Sequence, residues 1–206
     1  SKELYGGKEV RSLLLLYNIE LCLRECSTER FPFETLQIGG EKRIIWDIEH
    51  IDSQTPREMQ SKKEQNQWLE ATREALRSEI DQELGDRIGD YITQESNQQE
   101  IFEELRERLQ DLAGEKEDSY SQSIGNLALL DAGTNRSYGN SLFINKRAEL
   151  QKREQQGQFI PQGTKIAFMK YFSGSRPTLD KWGTEDKQAH EAYIYALLKE
   201  HYFKNK

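Results

Sequence analysis

The segment from residue 57 to residue 117 constrains the fold more than any other part of the chain. It is dominated by Glu, Gln, Arg and Leu, and its apolar residues recur three and four positions apart, as in NQWLEATREAL. Residues at this spacing share one face of a helix, so the segment predicts two or three amphipathic helices. We expect breaks near Gly85 and Ser96. The charged outer faces predict either a solvated surface or a docking surface for another domain.

Helical spacing also marks both ends of the chain. Residues 8 to 26, KEVRSLLLLYNIELCLREC, predict a helix with one buried face. The distal GTEDKQAHEAYIYALLKEHYF predicts a helix with Thr184 as N-cap. Between the first helix and the central segment, FPFETLQIGGEKRIIWDIEH changes period and predicts a β-hairpin that turns at GGEK. The predicted fold class is therefore α+β and mostly helical.

Charge is distributed unevenly along the chain. The formal net charge is -7, but residues 136 to 206 contain 13 Lys or Arg against 7 Asp or Glu, and the preceding residues contain 16 basic and 29 acidic ones. A basic carboxy-terminal third is typical of a localised polyanion site, although charges scattered over solvated faces would give the same counts. The acidic body speaks against a protein that coats nucleic acid over its whole surface.

Two further features bear on the compartment. No stretch approaches the roughly 18 consecutive apolar residues of a membrane span, and no signal peptide is recognisable, so we expect a cytoplasmic protein without a membrane partner. Cys22 and Cys26 are the only cysteines, and they lack a second pair that could complete a zinc site, which favours a reducing compartment. The chain opens with Ser1 rather than Met, which suggests that it is a fragment of a longer protein.

The stretch RIIWDIEHIDSQ places two acids and an imidazole where a predicted strand should enter the core. Either His50 is a buried residue with a satisfied partner, or it takes part in chemistry. One imidazole and one hard divalent cation can hydrolyse a phosphodiester, because the imidazole accepts a proton from the attacking water while the cation draws charge from the phosphate. Glu49 is a candidate carboxylate ligand for the cation. In an ideal strand Glu49 and His50 point to opposite faces, so both reach one site only where the strand ends or bends.

An amide ligand would have to come from elsewhere in the chain. GNLALLDAGTN places Asn126 and Asn135 nine residues apart around an apolar core. By themselves they are ordinary turn or cap residues, since Asn tolerates left-handed backbone and caps helices. If a helix start carrying Asn135 lies beside the end of the strand, the amide would complete an oxygen-ligand site of the kind that Mg²⁺ prefers.

These segments also carry a family resemblance. WDIEHIDSQ, IGNLALLDAGTNRSYGNSLFINKR and the distal FIPQGTKIAFMKYF resemble the carboxy-terminal HNH nuclease domain of GmrSD-type, modification-dependent restriction endonucleases, a His-Me finger (ββα-metal) family. The resemblance runs from the first helix to the last. Its specific part is the ordered set of His, Asn and Asn in the contexts GNL.LL and N..F..KR. It implies an HNH finger embedded in helical bundles and a DNA endonuclease that uses Mg²⁺ or Mn²⁺.

The resemblance assigns roles to individual residues. It implies that His50 is the general base, that Glu49 and Asn135 hold the metal ion, and that Asn126 braces the loop and orients the base. Phe143 would pack the finger helix onto the hairpin. The residues implied in contacts with phosphate or DNA are Arg136, Asn140, Lys146 and Arg147.

The chain departs from the family pattern in two places. Many relatives have a proline shortly after the base, whereas Asp52 and Ser53 follow Ile51 here, which could offer an extra carboxylate. The helical insertion between His50 and Asn126 is also long. Asp47 remains an alternative to Glu49 as metal ligand.

We expect one nuclease domain over residues 1–206. Its parts are 1–56 (helix and hairpin), 57–118 (helical insertion), 119–156 (asparagine elements and finger helix) and 157–206 (carboxy-terminal helical part). The resemblance further implies foreign or modified DNA as substrate in antiviral defence, and an amino-terminal nucleotide-dependent sensor domain, on the same or a partner chain. A homodimer would be one route to double-strand breaks. The competing interpretation is a catalytically silent module that senses DNA or docks a partner in a defence complex.

The remaining histidines and the tryptophans have simpler interpretations. His190 and His201 fall in the amphipathic carboxy-terminal helix and are expected at its surface or in the core. Trp46, Trp68 and Trp182 are expected to be packing anchors, although an exposed tryptophan could stack on a flipped base. Lys152 and Arg153 belong either to a solvated helix face or to the basic surface.

Overall fold

The computed structural model describes residues 8–25, 37–38, 41–44, 46–52, 59–115, 118–131, 141–173 and 178–202. Over these ranges the chain is mostly helical, with two small antiparallel strand pairs, so the expected α+β class is confirmed at this level. The helices are α1 (Lys8–Glu25), α2 (Lys62–Ala75), α3 (Gln82–Thr93), α4 (Gln99–Ala113), α5 (Phe143–Gln155), α6 (Gln162–Met169) and α7 (Thr184–Tyr202). The strands are β1 (Gln37–Ile38), β2 (Glu41–Ile44), β3 (Trp46–His50) and β4 (Leu127–Asp131). Within the described part of the chain, no helix has both the length and the apolar character needed to cross a membrane.

The central segment forms three helices, each started or ended by a local signal. The side chain of Ser61 accepts a hydrogen bond from Glu64 N at the start of α2, and Asp81 does the same for Leu84 N at the start of α3. Gly114 ends α4 in the left-handed conformation that glycine adopts without a steric penalty. The expected break near Ser96 is confirmed, and the break expected near Gly85 lies a few residues earlier in the chain. Gly85 lies inside α3, and the chain turns at residues 76–81 instead, where Asp81 provides the cap.

These helices bury a core of their own and hold α5. The fully buried residues of this core include Leu69, Ile88, Phe102, Leu105 and Leu109. Leu142, next to the start of α5, belongs to the same cluster, and the amide of Phe143 donates to the buried carboxylate of Glu115. That carboxylate satisfies an amide that a helix start leaves without an intrahelical partner. The insertion therefore positions the start of α5.

The strand that carries Glu49 and His50 has a different partner from the one expected. The sequence predicts that it is the second strand of the hairpin, but β1 pairs with β2 and β3 pairs with β4. The register of β3 and β4 sets Glu49 opposite Ala128 and His50 opposite Leu127, and Ile51 N donates to Asn126 O at 2.9 Å. The apolar LALL run is thus a strand buried on both faces, which explains its unbroken hydrophobicity.

The two faces of this strand pair bury different clusters. Trp46 and Ile48 lie with Leu127 and Leu129 against α1, where Val10 and Leu14 complete the cluster. Ala128 and Leu130 lie on the other face with Ile51, against residues of α5 and α6 that include Phe143, Leu150 and Phe168. Alternation along β3 therefore directs Glu49 towards α5 and His50 to the face of Trp46 and Ile48.

Helix α6 approaches both α1 and β4 closely. Gly163 lies where a Cβ atom would come within 2.4 Å of the Tyr17 ring, so only glycine fits without a shift. Its amide donates to Asn18 Oδ1 at 2.7 Å, and the hydroxyl of Thr164 donates to Leu129 O at 2.6 Å. These contacts fix the amino-terminal end of α6 against α1 and β4.

Removal of a core ring from the insertion should destabilise the protein. We expect Phe102→Ala to lower the free energy of unfolding by about 3–5 kcal/mol, because it deletes a fully buried ring and leaves a cavity. The matched control is Ile101→Ala on the same helix, where the side chain is 39 % exposed and the expected loss is about 1 kcal/mol or less. Urea denaturation followed by circular dichroism measures both values. Equal losses for the two variants would contradict the described core.

Candidate active site

Glu49 and His50 lie at the end of β3, and a buried lysine connects them. Lys146 Nζ on α5 is 2.6 Å from Glu49 Oε1 and donates to the backbone carbonyl of His50 at 2.7 Å. The Lys146 side chain is 2 % exposed, so water does not stabilise its ammonium. The contacts with Glu49 and the His50 carbonyl compensate for this loss of hydration. Lys146 therefore fixes both the carboxylate of Glu49 and the backbone of His50.

Burial controls the charge states of Glu49 and His50. Burial raises the pKa of the Glu49 carboxyl above its usual value, and the adjacent Lys146 ammonium opposes that rise. Burial lowers the pKa of the His50 imidazole to about 4, against the opposing charge of Asp52 and a hydrogen bond with the Gln122 side chain. Lys146 and Lys187 lower it further. The imidazole is therefore neutral at pH 7 and able to accept a proton.

Asn126 lies in a short 3₁₀ turn before β4 and is fully buried. Its Nδ2 donates to Asp52 Oδ1 at 2.5 Å and to Ser121 O at 2.9 Å. Its Oδ1 accepts from Asp52 N at 3.2 Å and from Trp182 Nε1 at 3.1 Å. One amide thus ties together the segment after His50, the turn before β4 and the segment before α7.

The residues expected at phosphate have other contacts where the structure describes them. The ammonium of Lys146 is enclosed by Glu49 and His50, as above. Arg147 Nε donates to Phe168 O at 3.1 Å, and its Nη1 lies 3.8 Å from Asp180 Oδ1. Either residue would have to leave these partners to reach a phosphate. Lys152 is exposed on the same helix.

Asn135, Arg136 and Asn140 lie outside the described residues, so their predicted roles stay predictions. Over the ranges that the structure describes, no group of three or more His, Cys, Asp or Glu side chains could hold a metal ion. The described contribution to the predicted metal site is the Glu49 carboxylate, an oxygen donor of the type that Mg²⁺ prefers. The donor chemistry fits, although Lys146 shares the carboxylate.

Several residues around the site were not foreseen from the sequence. Four of them contact the segments that carry or support Glu49, His50 or Asn126: Lys187, Asp118, Trp182 and Glu115. Asp52, which the sequence offers as an additional carboxylate, is buried against Lys187 and Asn126. His190 is in the core, and the three tryptophans are buried, as expected of packing anchors. Phe143 stacks on Phe168 with ring centroids 5.6 Å apart and belongs to the cluster on the α5 face of the strand pair.

The profile of the GmrSD restriction endonucleases, C-terminal domain, matches residues 8–197. The chain belongs to this family. The match covers α1, both strands of the central pair and most of α7, so the site described above lies wholly within it. No curated protein and no solved structure gives a significant match. Membership in the GmrSD C-terminal family indicates a nuclease of a restriction system, for which DNA is the substrate.

His190 should make the stability of this GmrSD domain depend on pH. Burial lowers its pKa from 6.5 to about 4, against a 2.8 Å hydrogen bond between Nδ1 and Gly125 O. Below pH 6.5 the unfolded chain binds a proton that the folded chain excludes, so stability is lost as the pH falls from 6.5 towards 4. The loss approaches about 1.4 kcal/mol per pH unit.

The test compares the chain with His190→Gln by chemical denaturation between pH 7.5 and 4.5. The variant cannot titrate at this position, so the difference in unfolding free energy between the two proteins should shrink or change sign at the acidic end. Other titrating groups, including Glu49 and His50, are common to both proteins and cancel in the difference. A difference that stays constant across this range would show that the buried imidazole does not titrate as described.

Proposed function

We propose that this chain is a divalent-metal-dependent endonuclease that nicks DNA, with His50 as general base. The observation that carries the proposal is the position of His50. Its neutral imidazole lies at the end of a strand pair, one residue after Glu49 in the chain and on the opposite face, and two residues before Asp52 of the Asp52–Asn126 network, in a chain of a restriction endonuclease family. We further propose that β3, β4 and α5 correspond to the two strands and the helix of an HNH finger, with the helical insertion between the strands.

In this proposal His50 takes the proton from the water that attacks the phosphorus atom. A general base works best when its pKa lies near the working pH. The charge of a bound DNA phosphate would raise the low pKa of His50 towards that range, because an adjacent anion favours the protonated imidazole. Asp52 already acts in this direction. The brace at Asn126 keeps the base oriented by holding the backbone just after it.

The proposed metal ion is Mg²⁺ or Mn²⁺, held by Glu49 and Asn135. Such an ion would stabilise the charge that develops on the phosphate and on the leaving 3'-oxygen. Lys146 keeps Glu49 in place through the 2.6 Å ion pair, so the carboxylate is oriented in advance. Arg136, Asn140 and Arg147 are proposed contacts to DNA, and Lys146 would join them only by leaving Glu49.

One imidazole with one metal ion cuts one strand at a time, so nicking is the proposed elementary reaction. A double-strand break would need a second active site, from a homodimer or a second encounter. We propose that the chain acts in the cytoplasm against foreign or modified DNA, together with a nucleotide-dependent sensor domain on the same or a partner chain. The carboxy-terminal third has 13 basic against 7 acidic residues, an excess that favours a polyanion such as DNA, but Lys146, Lys170 and Lys187 are buried in ion pairs and do not belong to its surface.

One observation favours the alternative of a catalytically silent DNA-sensing or docking module. The Glu49 carboxylate already has a buried cation, the Lys146 ammonium, at 2.6 Å. If a metal ion cannot compete with this ammonium, the site would have a base without a metal. Metal binding and catalysis therefore have to be tested separately.

Catalysis is tested by nicking of supercoiled plasmid with Mg²⁺ or Mn²⁺. Loss of the general base in His50→Ala should reduce the nicking rate by about 10²–10⁴-fold, and Asn135→Ala should also reduce it strongly. His201→Ala, which removes a different imidazole from α7, is the control and should retain the rate of the unaltered chain. If His50→Ala nicks as fast as the unaltered chain, the base is assigned wrongly. Cleavage of a matched RNA but not of DNA would change the substrate class.

Metal binding is tested by titrating Mn²⁺ and following its electron paramagnetic resonance signal. Glu49→Gln keeps the shape of the side chain but removes the charge, so it should weaken Mn²⁺ binding by about tenfold or more. Asp47→Asn is the comparison variant, because Asp47 is the alternative ligand and pairs with Arg11 at 3.5 Å instead of with Lys146. If Asp47→Asn weakens binding and Glu49→Gln does not, Asp47 is the ligand. Unchanged binding in both would favour the silent module.

A further inference from the structure

A second buried lysine lies on the far side of the His50 segment. Lys187 on α7 is 1 % exposed, and its Nζ is 2.6 Å from Asp52 Oδ2 and 3.1 Å from Asp118 Oδ2. A buried ammonium is costly unless its charge is compensated, so the two carboxylates and the lysine hold one another in place. We call the set Asp52, Asp118, Asn126 and Lys187 the Lys187 clamp.

Asp52 connects the clamp to His50 through the backbone. Asp52 is two residues after His50 and is 2 % exposed in its side chain. One of its carboxylate oxygens contacts Lys187, and the other accepts from Asn126 Nδ2. The amide of Asp52 also donates to Asn126 Oδ1. The backbone immediately after His50 is therefore fixed through both the side chain and the amide of Asp52.

Asp118 is connected to the His50 side chain through Gln122. Asp118 organises the turn that follows it, since its amide donates to Ser121 Oγ at 2.8 Å and its Oδ1 accepts from Tyr120 N at 2.7 Å. Gln122 follows this turn directly, and its side chain is hydrogen-bonded to His50. Lys187 joins these two connections, because it contacts both Asp52 and Asp118.

The backbone of α7 supports the same region independently of charge. A Cβ atom on Gly125 would come within 2.0 Å of the carbonyl oxygen of Lys187, so the 3₁₀ turn lies directly on the helix. His190, one turn further along α7, is hydrogen-bonded to Gly125 O. This close contact fixes the backbone position of Lys187 beside the 3₁₀ turn.

We propose that Lys187 is a positioning residue for His50, acting through Asp52 and Asp118 and not through contact of its own buried side chain with DNA. The inference rests on the proposed function for its catalytic consequence, whereas its structural part can be measured without any activity. A lysine that serves only to stabilise the fold would affect the whole molecule. A positioning lysine affects the backbone after His50 and the turnover of bound substrate.

The chain offers a matched control for the cost of losing a buried lysine. Lys170 at the end of α6 is also 1 % exposed in its side chain, and its Nζ is 2.8 Å from Asp186 Oδ1 and donates to Thr178 O. Its carboxylate partner is 22 % exposed, close to the 19 % of Asp118. Lys170→Met therefore removes a comparable ion pair beside α7, whereas Lys187→Met removes the clamp.

The first measurement is amide hydrogen exchange in the unaltered 206-residue chain and in the two variants. The amides of Ile51 and Asp52 donate to Asn126 O and Asn126 Oδ1, so they report on the clamp directly. Relative to the amides of the α2–α4 core, they should lose about tenfold or more of their protection in Lys187→Met and keep it in Lys170→Met. Unchanged protection in Lys187→Met, or equal loss in both variants, would overturn the proposal.

The second measurement is the rate of plasmid nicking with Mg²⁺ as the DNA concentration is varied. Displacement of a catalytic group by about 1 Å can cost about 100-fold in rate, so Lys187→Met should lower kcat by about 10- to 100-fold with KM nearly unchanged. Lys170→Met should keep both values. An unchanged kcat in Lys187→Met would refute the catalytic consequence.

The proposal can still be tested if Lys187→Met does not fold or if the unaltered chain does not nick DNA. If Lys187→Met does not fold, Asp52→Asn replaces it, because that change removes the partner charge of Lys187 while keeping the side-chain shape, and the same exchange and rate criteria apply. If the unaltered chain and all variants fail to nick DNA, the proposed function fails, and the exchange pattern alone decides whether Lys187 positions the His50 segment.

Discussion

The antiparallel pairing of β3 with β4 is the constraint on which the candidate site depends. It joins residues 46–50 to residues 127–131, so the helical insertion has to close as a loop before the pair can form. The entropic cost of closure rises only slowly with loop length, and the insertion gains stability from its own core. An apolar cluster on each face then fixes the register, because a shift by one residue would turn every side chain to the wrong face.

The end of this strand pair is held by buried charge rather than by apolar contacts alone. Lys146 approaches from α5 and has one carboxylate partner at 2.6 Å, and Lys187 approaches from α7 and has two within 3.1 Å. Replacement of such pairs by apolar groups often leaves stability unchanged, so their value lies in the arrangement that they specify. Here they specify where the Glu49 carboxylate and the His50 backbone lie. A site oriented in this way before substrate arrives suits the nuclease activity that the GmrSD family indicates.

Local pattern predicted the helices well and the strand partner poorly. α1, the three helices of the insertion and α7 follow from apolar spacing, which reports a face that must be buried. Gly85 lies inside α3 because glycine lowers helix propensity by only about 1 kcal/mol, which packing overcomes. LALL is apolar at every position, and such a run carries no period that separates a buried strand from a buried helix. Its pairing with β3, across the whole insertion, could not be deduced from it.

The sequence by itself determined which residues could be catalytic. The order of His50, Asn126 and Asn135 and the contexts around them carry the family resemblance, and the match over residues 8–197 confirms that family. Tertiary structure alone decided that Lys146 neutralises Glu49 and that Lys187 joins Asp52 to Asp118. The physical reason is that periodicity reports only which side of an element is buried. Which buried charges meet depends on how distant elements pack, and a lysine without its carboxylate looks in sequence like any solvated cation.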